Sequence, residues 1–318
     1  MIFVGDLAAQ AKRLLEEQVG EWALLRDNIA ALASVKTRTV GVGDFAMKIQ
    51  FNPARISSTA AKTDARSIGE RKCFLCDANR PPEQRGLPFG DSYLVLCNPF
   101  PIFPEHFTIT HRVHRPQRIK DNFGDLLDLA RAMSPRYTVF YNGPKCGASA
   151  PDHLHFQAGD RGFMTIESEY DRLKGEPIAQ RTGCRLFAPP SLRPFIAIES
   201  ADREALLAIF HTLYVQLNEI IPDPEEPMMN ILAWHDAAEW RVIVLPRSKH
   251  RPSFYFAEGD KKILLSPASV DLGGVCIVPL EHDYLKLDRA HLEQMLREVM
   301  LRPDTVARLV ERLVSNLG

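Results

Sequence analysis

The sequence is short of net charge, of long apolar runs and of closely spaced cysteines, and each shortage removes a class of function. Across 318 residues, 39 Lys and Arg balance 40 Asp and Glu. A chain so close to neutrality has no broad field for nucleic acid or a membrane surface, so neither is an expected partner and any anionic ligand must be held by local charge. No apolar run reaches transmembrane length. The opening "MIFVGDLAAQAKRLLEEQVGEWALL" has acidic residues where a signal peptide needs a basic start and an apolar stretch, so a cytoplasmic location is expected. Six cysteines, only Cys73 and Cys76 of them closely spaced, do not make a disulfide framework. In a reducing compartment, metal binding is the better use for that pair. What is present is a globular balance of 45% hydrophobic and 25% charged residues, enough for one large domain or two of ordinary size.

Leu7, Leu14, Leu15, Trp22, Leu25, Ile29 and Leu32 recur at roughly helical spacing, which predicts an amphipathic helix or helix pair covering one face of a sheet. "TRTVGVGDFAMKIQFNP" predicts two short strands around a Gly-Asp turn, and "SSTAAKTDARSIGERK" a polar loop. "SYLVLCNPFP" and "EHFTITH" read as strands, "NFGDLLDLARAMS" as a helix, and "YTVFYNG" with "DHLHFQAG" as strands joined by a glycine-rich turn. Strand, strand, helix, strand, strand is the order of an antiparallel α+β unit. After about residue 165 a similar order returns: a strand and a long helix in "PSLRPFIAIESADREALLAIFHTLYVQLNEI", a hairpin over "MMNILAWHDAAEWRVIVLPR", then the strand "GGVCIVPL" and terminal helices. An α+β fold of two halves, 1–165 and 166–318, is the expectation, with "IPDPEEP" a loop inside the second.

The chemistry concentrates in "YNGPKCGASAPDHLHFQAGD", residues 141–160. Strand alternation would put His153, His155 and Gln157 on one face. Gly143, Gly147, Ala148 and Ser149 let backbone N–H groups approach a phosphate, and Lys145 could add charge. An imidazole aimed at that phosphate can attack phosphorus and form a covalent intermediate. The plain alternative is two surface histidines on an edge strand, which the glycine-rich loop disfavours. "CFLC" is half of a tetrahedral zinc site, with reduced core cysteines or a redox pair as alternatives. Its missing ligands would come from "HRVH" and "HLH".

These segments resemble a known group. "LCNPFPIFPEHFTITHRVH", then a helix, then "YNGPKCGASAPDHLHFQ" is similar to the histidine-triad superfamily, and Gln157 in the third place resembles its transferase branch. That branch contains galactose-1-phosphate uridylyltransferase, diadenosine tetraphosphate phosphorylase and the GDP-L-galactose and GDP-D-glucose phosphorylases. "QFNPARI", "PQRI" and "HLHFQA" are most similar to the GDP-hexose phosphorylases, whereas "CFLC" resembles the zinc-binding uridylyltransferases. The resemblance implies two histidine-triad-like halves, with His155 as nucleophile toward a nucleoside monophosphate and Gln157 holding its phosphoryl oxygens. It implies Asn98 at the ribose, and Asn142, Gly143, Lys145, Gly147 and Ser149 around the phosphate. Structural zinc would be bound by Cys73, Cys76, His114 and His153, with His111 an alternative to His114. Arg55, Arg118, Arg247 and Lys249 are open candidates for the remaining anionic charge, and packing or surface roles are expected of His235, His250 and His282. The implied reaction is that of an NDP-hexose phosphorylase, its ligands a nucleotide sugar or dinucleotide with phosphate or a sugar phosphate, in a chain that could form a homodimer. A hexose-1-phosphate uridylyltransferase, a dinucleoside tetraphosphate phosphorylase, and a zinc-stabilised nucleotide-binding protein without turnover remain as alternatives.

Overall fold

In a computed structural model of the protein, residues 6–56, 65–181 and 183–317 are described. The chain enters through two helices, α1 (Leu7–Glu21) and α2 (Ala23–Ala31), broken at the extended Trp22. The hairpin β1 (Lys36–Val42) and β2 (Phe45–Phe51) turns at Gly43–Asp44 as the spacing requires. Of the loop expected next, residues 57–64 lie outside the described ones, and Ala65–Glu70 forms a short helix, α3.

Five strands follow: β3 (Gly86–Phe89), β4 (Tyr93–Cys97), β5 (His106–His111), β6 (Tyr137–Asn142) and β7 (His155–Asp160), in the spatial order β3-β4-β5-β7-β6. Another five, β8 (Ala179–Arg181), β9 (Cys184–Phe187), β10 (Ile196–Ser200), β11 (Met229–Asp236) and β12 (Glu239–Pro246), repeat it as β8-β9-β10-β12-β11. The two sets join where β6 pairs antiparallel with β11, Asn142 opposite Asn230 and Phe140 opposite Leu232. The result is one ten-stranded sheet, antiparallel throughout, within an α+β fold.

Each set carries its main helix between its third and fourth strands, α4 (Phe123–Ala132) and, after the intervening α5 (Thr165–Leu173), α6 (Arg203–Ile220). Asp202 caps α6 by accepting the N–H groups of Glu204 and Ala205, a contact worth about 1 kcal/mol. Both main helices lie on one face of the sheet, where the Phe123 and Phe210 rings stack with centroids 3.7 Å apart. Alternate sheet residues Phe107, Ile109, Val139, Tyr141, Phe156 and Val242 fill that core, and Leu7, Ala11 and Leu15 of α1 extend it.

The opposite face is covered by α5 and by a small sheet, β1-β2-β13, with β13 at Val275–Val278. "GGVCIVPL" is a strand, but it pairs parallel with β2 near the N-terminus and not with the strands of the second half. A short, wholly apolar run reports burial on both sides and says nothing about its neighbour. The helices α7 (Ser269–Leu272), α8 (Glu281–Lys286), α9 (Arg289–Val299) and α10 (Pro303–Leu317) complete the chain. Among the described residues no helix is long and apolar enough to cross a membrane.

Candidate active site and metal centre

The second sheet face carries the polar residues. β5 places Thr110 opposite His155 and Thr108 opposite Gln157, while β6 pairs with β7 only as far as Phe140 opposite Gln157, because residues 143–154 leave the ladder as a loop. The fully buried Gln117 closes the gap. Its Oε1 accepts the N–H of His155 at 2.8 Å, and its Nε2 donates to the carbonyls of His155 and Asn142 at 3.0 and 2.9 Å. His153 was expected on the same strand face as His155, yet the strand begins only at His155. His153 ends a turn closed by its N–H on the carbonyl of Ala150, so the loop, not strand alternation, sets its direction.

His155 and Gln157 both face a cavity of about 630 Å³. The Nδ1 of His155 lies 2.8 Å from the carbonyl oxygen of His153. A carbonyl only accepts, so Nδ1 carries the hydrogen and Nε2 keeps its lone pair. Burial pushes this imidazole down to about 4. Gln157 is oriented by His106, a residue the sequence reading passed over. The Nδ1 of His106 accepts the N–H of Ile102 at 3.2 Å, so its Nε2 donates to Oε1 of Gln157 at 2.9 Å. The amide N–H₂ of Gln157 is thereby left for the cavity. Burial first, then the charge of Arg55, pushes His106 down to about 3. The available clue was parity, since His106, Thr108 and Thr110 share the face of β5 that meets His155 and Gln157.

Asn98 and Asn142 also line the cavity. Asn98 accepts the N–H of Phe100 and donates to Oγ1 of Thr108, while Oδ1 of Asn142 takes hydrogen bonds from Asn230 and from both donors of Ser269. Gly147 and Ser149 form one wall. At Gly147, φ is +95° and an added Cβ would stand 2.5 Å from that of Ala268, so the loop packs there only with glycine. Trp22, Phe74, Leu75 and Phe100 add apolar lining.

Two residues expected at the phosphate lie outside the inner lining. Gly143 turns its N–H to Met229, and Lys145 is drawn to Asp223 at 2.8 Å. Of the basic candidates, Arg55 lines the cavity. Arg118 pairs with Glu225, and Lys249 sits 3.8 Å from Glu298 beside a shallower outer recess. Arg247 is fully buried, its guanidinium donating to the carbonyls of Cys146, Pro267, Lys249 and His250, and so braces loops. His235 packs on Trp240 and the exposed His282 lies by Asp283, but His250 lines the cavity, as do Arg71 and Arg251, neither foreseen.

A second cluster stands behind the loop. Ligand atoms of Cys73, Cys76, His114 and His153 all lie within 4.8 Å of one another. Cys73 Sγ is 3.3 Å from His153 Nδ1, and Cys76 Sγ is 3.2 Å from His114 Nδ1. Bonds of roughly 2.0–2.3 Å in a tetrahedron put neighbouring ligand atoms at spacings of this order. The Nε2 of His153 donates to the carbonyl of His111 at 2.7 Å, which turns the Nδ1 lone pair toward the sulfurs, as a ligating histidine requires. His111 itself is not a member: its Nδ1 accepts the N–H of Val113, and its ring meets the Tyr93 ring edge-on. The four residues therefore fit a metal ion. Arg71 ties this centre to the loop, reaching Asp152 at 2.8 Å and the carbonyl of Ser149 at 3.3 Å.

Comparison with known proteins gives three results. Residues 14–160 match a family described as a domain of unknown function, DUF4922. No curated protein sequence matches the chain. Among solved structures, yeast Ap4A phosphorylase in complex with AMP is similar at 18% identity and a TM-score of 0.57, over 91% of this chain and 96% of that one. The same yeast enzyme in complex with Ap4A is similar at 17% identity and a TM-score of 0.53, over 90% and 97%. The chain therefore has the fold of the yeast Ap4A phosphorylase.

Proposed function

We propose that the protein is a nucleotidyltransferase of the phosphorylase kind, with a nucleotide sugar as its substrate. The observation that carries this reading is a His155 lone pair and a Gln157 amide donor lining the same cavity. Nε2 of His155 attacks the phosphorus attached to the nucleoside. A P–N bond forms, the P–O bond to the sugar phosphate breaks, and hexose 1-phosphate leaves. An oxygen of inorganic phosphate then attacks the same phosphorus, the P–N electrons return to Nε2, and NDP is released. The Gln157 amide and backbone N–H groups around Gly147 and Ser149 hold the phosphoryl oxygens, Asn98 serves the ribose, and Asn142 fixes the end of β6.

Cys73, Cys76, His114 and His153 are read as a closed structural zinc site, the donor set that favours zinc. An ion held there would anchor the ring of His153, whose backbone carbonyl accepts Nδ1–H of His155.

A second reading, a dinucleoside tetraphosphate phosphorylase, is favoured by a fold likeness that spans nearly the whole yeast Ap4A phosphorylase. The same two steps would then release a nucleotide in place of a sugar phosphate. Incubation with labelled NDP-sugars and with Ap4A, first without phosphate, tests both. An acid-labile, base-stable protein label, absent in His155→Ala, is expected, and phosphate should discharge it as NDP. No label with any nucleotide overturns the proposal, discharge only by a sugar 1-phosphate shows a uridylyltransferase-type reaction, and label from Ap4A alone establishes the second reading.

A further inference from the structure

The loop "IPDPEEP" between α6 and β11 belongs to the second half of the chain, yet its acidic side chains reach into the first. Asp223 pairs with Lys145 of the glycine-rich loop at 2.8 Å, and Glu225 lies 3.4 Å from Arg118. Both pairs are partly solvated, so each contributes little. Glu226 differs, being only 2% exposed. One of its carboxyl oxygens accepts the N–H of Ile119 at 2.6 Å and the other accepts the hydroxyl of Tyr141 at 2.7 Å.

Those two partners flank the bridge that holds His155. Ile119 lies two residues after Gln117, whose side chain accepts the N–H of His155 and donates to the carbonyls of His155 and Asn142. Tyr141 directly precedes Asn142, and its ring lies 6.0 Å, centroid to centroid, from that of Phe156, the neighbour of His155. The N–H of Leu154 donates to the carbonyl of Arg115 at 2.7 Å, and that of Gln117 to the carbonyl of Pro151 at 3.1 Å. Residues 115–119 are thus bonded to the loop leading into His155 at one end and to Glu226 at the other. Without the Glu226 oxygens, a buried N–H and a buried hydroxyl lose their acceptors, a cost relieved when the segment shifts.

We propose that Glu226 is a positioning residue for nucleotidyl transfer, fixing the Gln117 bridge against β6 and through it the place of His155. This rests on the reading of His155 as the nucleotidylated residue. Glu226 does not line the cavity, so it acts on the rate of transfer and not on nucleotide affinity.

Hydrogen exchange of the full chain and single-turnover labelling of His155 test this together. In Glu226→Ala, peptides spanning 115–119 and 153–157 should exchange at least tenfold faster and labelling should slow at least tenfold, with AMP affinity changed less than threefold. Glu226→Gln keeps one acceptor and should recover part of the rate. Gln117→Ala should also slow labelling, and adding Glu226→Ala to it should cost less than a further twofold, because both changes break one path. Asp202→Ala, which loses the α6 cap, controls for lost stability and should label at the wild-type rate. Should Glu226→Ala fail to fold, Glu226→Gln takes its place with an expected slowing of at least threefold. A wild-type labelling rate or wild-type exchange in the folded variant overturns the proposal, and so do additive effects at Gln117 and Glu226. Absence of label on the wild-type protein would refute the catalytic reading, while the exchange comparison still decides whether Glu226 holds the His155 segment, so the two failures are distinguishable.

Discussion

The Nε2 of His106 lies 2.9 Å from Oε1 of Gln157, and this contact decides which end of the amide faces the cavity. Without that donor the amide can turn over and present an oxygen to an oxygen-rich phosphoryl group. His106→Phe should therefore slow labelling of His155 by about tenfold while leaving nucleotide affinity nearly unchanged, whereas Gln157→Ala removes the donor itself and should cost about 10² to 10³. Single-turnover labelling rates check this. A wild-type rate in His106→Phe would mean that Gln157 is oriented by something else.

The cluster of Cys73, Cys76, His114 and His153 is joined to His155 through one residue, since the His153 ring belongs to the cluster and its carbonyl accepts from Nδ1 of His155. Cys73→Ser should lose a stoichiometric metal ion, lower the melting temperature, and slow labelling although His155 is intact. Elemental analysis beside thermal denaturation reads both effects. A variant as stable as the wild type, with wild-type protein found metal-free, would refute the site.

Glu226 is buried below the main helices, accepting from the Tyr141 hydroxyl at 2.7 Å and from the N–H of Ile119 at 2.6 Å. Burial nevertheless pushes its carboxyl from the ordinary 4.5 up to about 7. A carboxyl raised in the folded state favours the fold when protonated. Its contribution is complete below about pH 4.5 and is lost as the pH rises through about 7, a change of about 3 kcal/mol. Glu226→Gln should flatten the stability profile across that window. Urea midpoints between pH 4.5 and 7 measure it, and an unchanged slope in the variant would assign the titration elsewhere.

Gly147 meets two constraints at once, a positive φ and a close approach to Ala268. Gly147→Ala should strain the loop and push it from the 267–270 segment, weakening nucleotide binding by an order of magnitude or more. The cost in stability should be about 1–3 kcal/mol. Titration of AMP beside thermal denaturation separates the two. Full AMP affinity in a folded variant would show that the loop does not need this geometry.

Local pattern alone was enough to locate much of this molecule. The helix pair before residue 33, the β1–β2 hairpin, α4, α6 and the β11–β12 hairpin are legible because periodicity and turn residues act within a few positions. The spacing of Cys73 and Cys76, and the His-x-His-x-Gln run, are equally local. What joined them was not. His114 rather than His111 stands beside Cys76, 38 positions away, because the turn after β5 sends the His111 ring onto Tyr93.

Gln117, His106 and Arg55 were indistinct in the sequence for the same reason. Each is an ordinary polar residue whose meaning comes from a partner 38 to 51 positions away, or from a cavity assembled from distant segments. The parallel pairing of β13 with β2, between segments more than two hundred positions apart, is the extreme case. Composition, element type and the residues that are candidates for metal binding and nucleotidyl transfer follow from the amino-acid sequence, since they depend on residue identity and neighbours. Which histidine meets the sulfurs, which way the glutamine amide points and which guanidiniums line the cavity were decided only by tertiary packing, which sets the direction of each side chain.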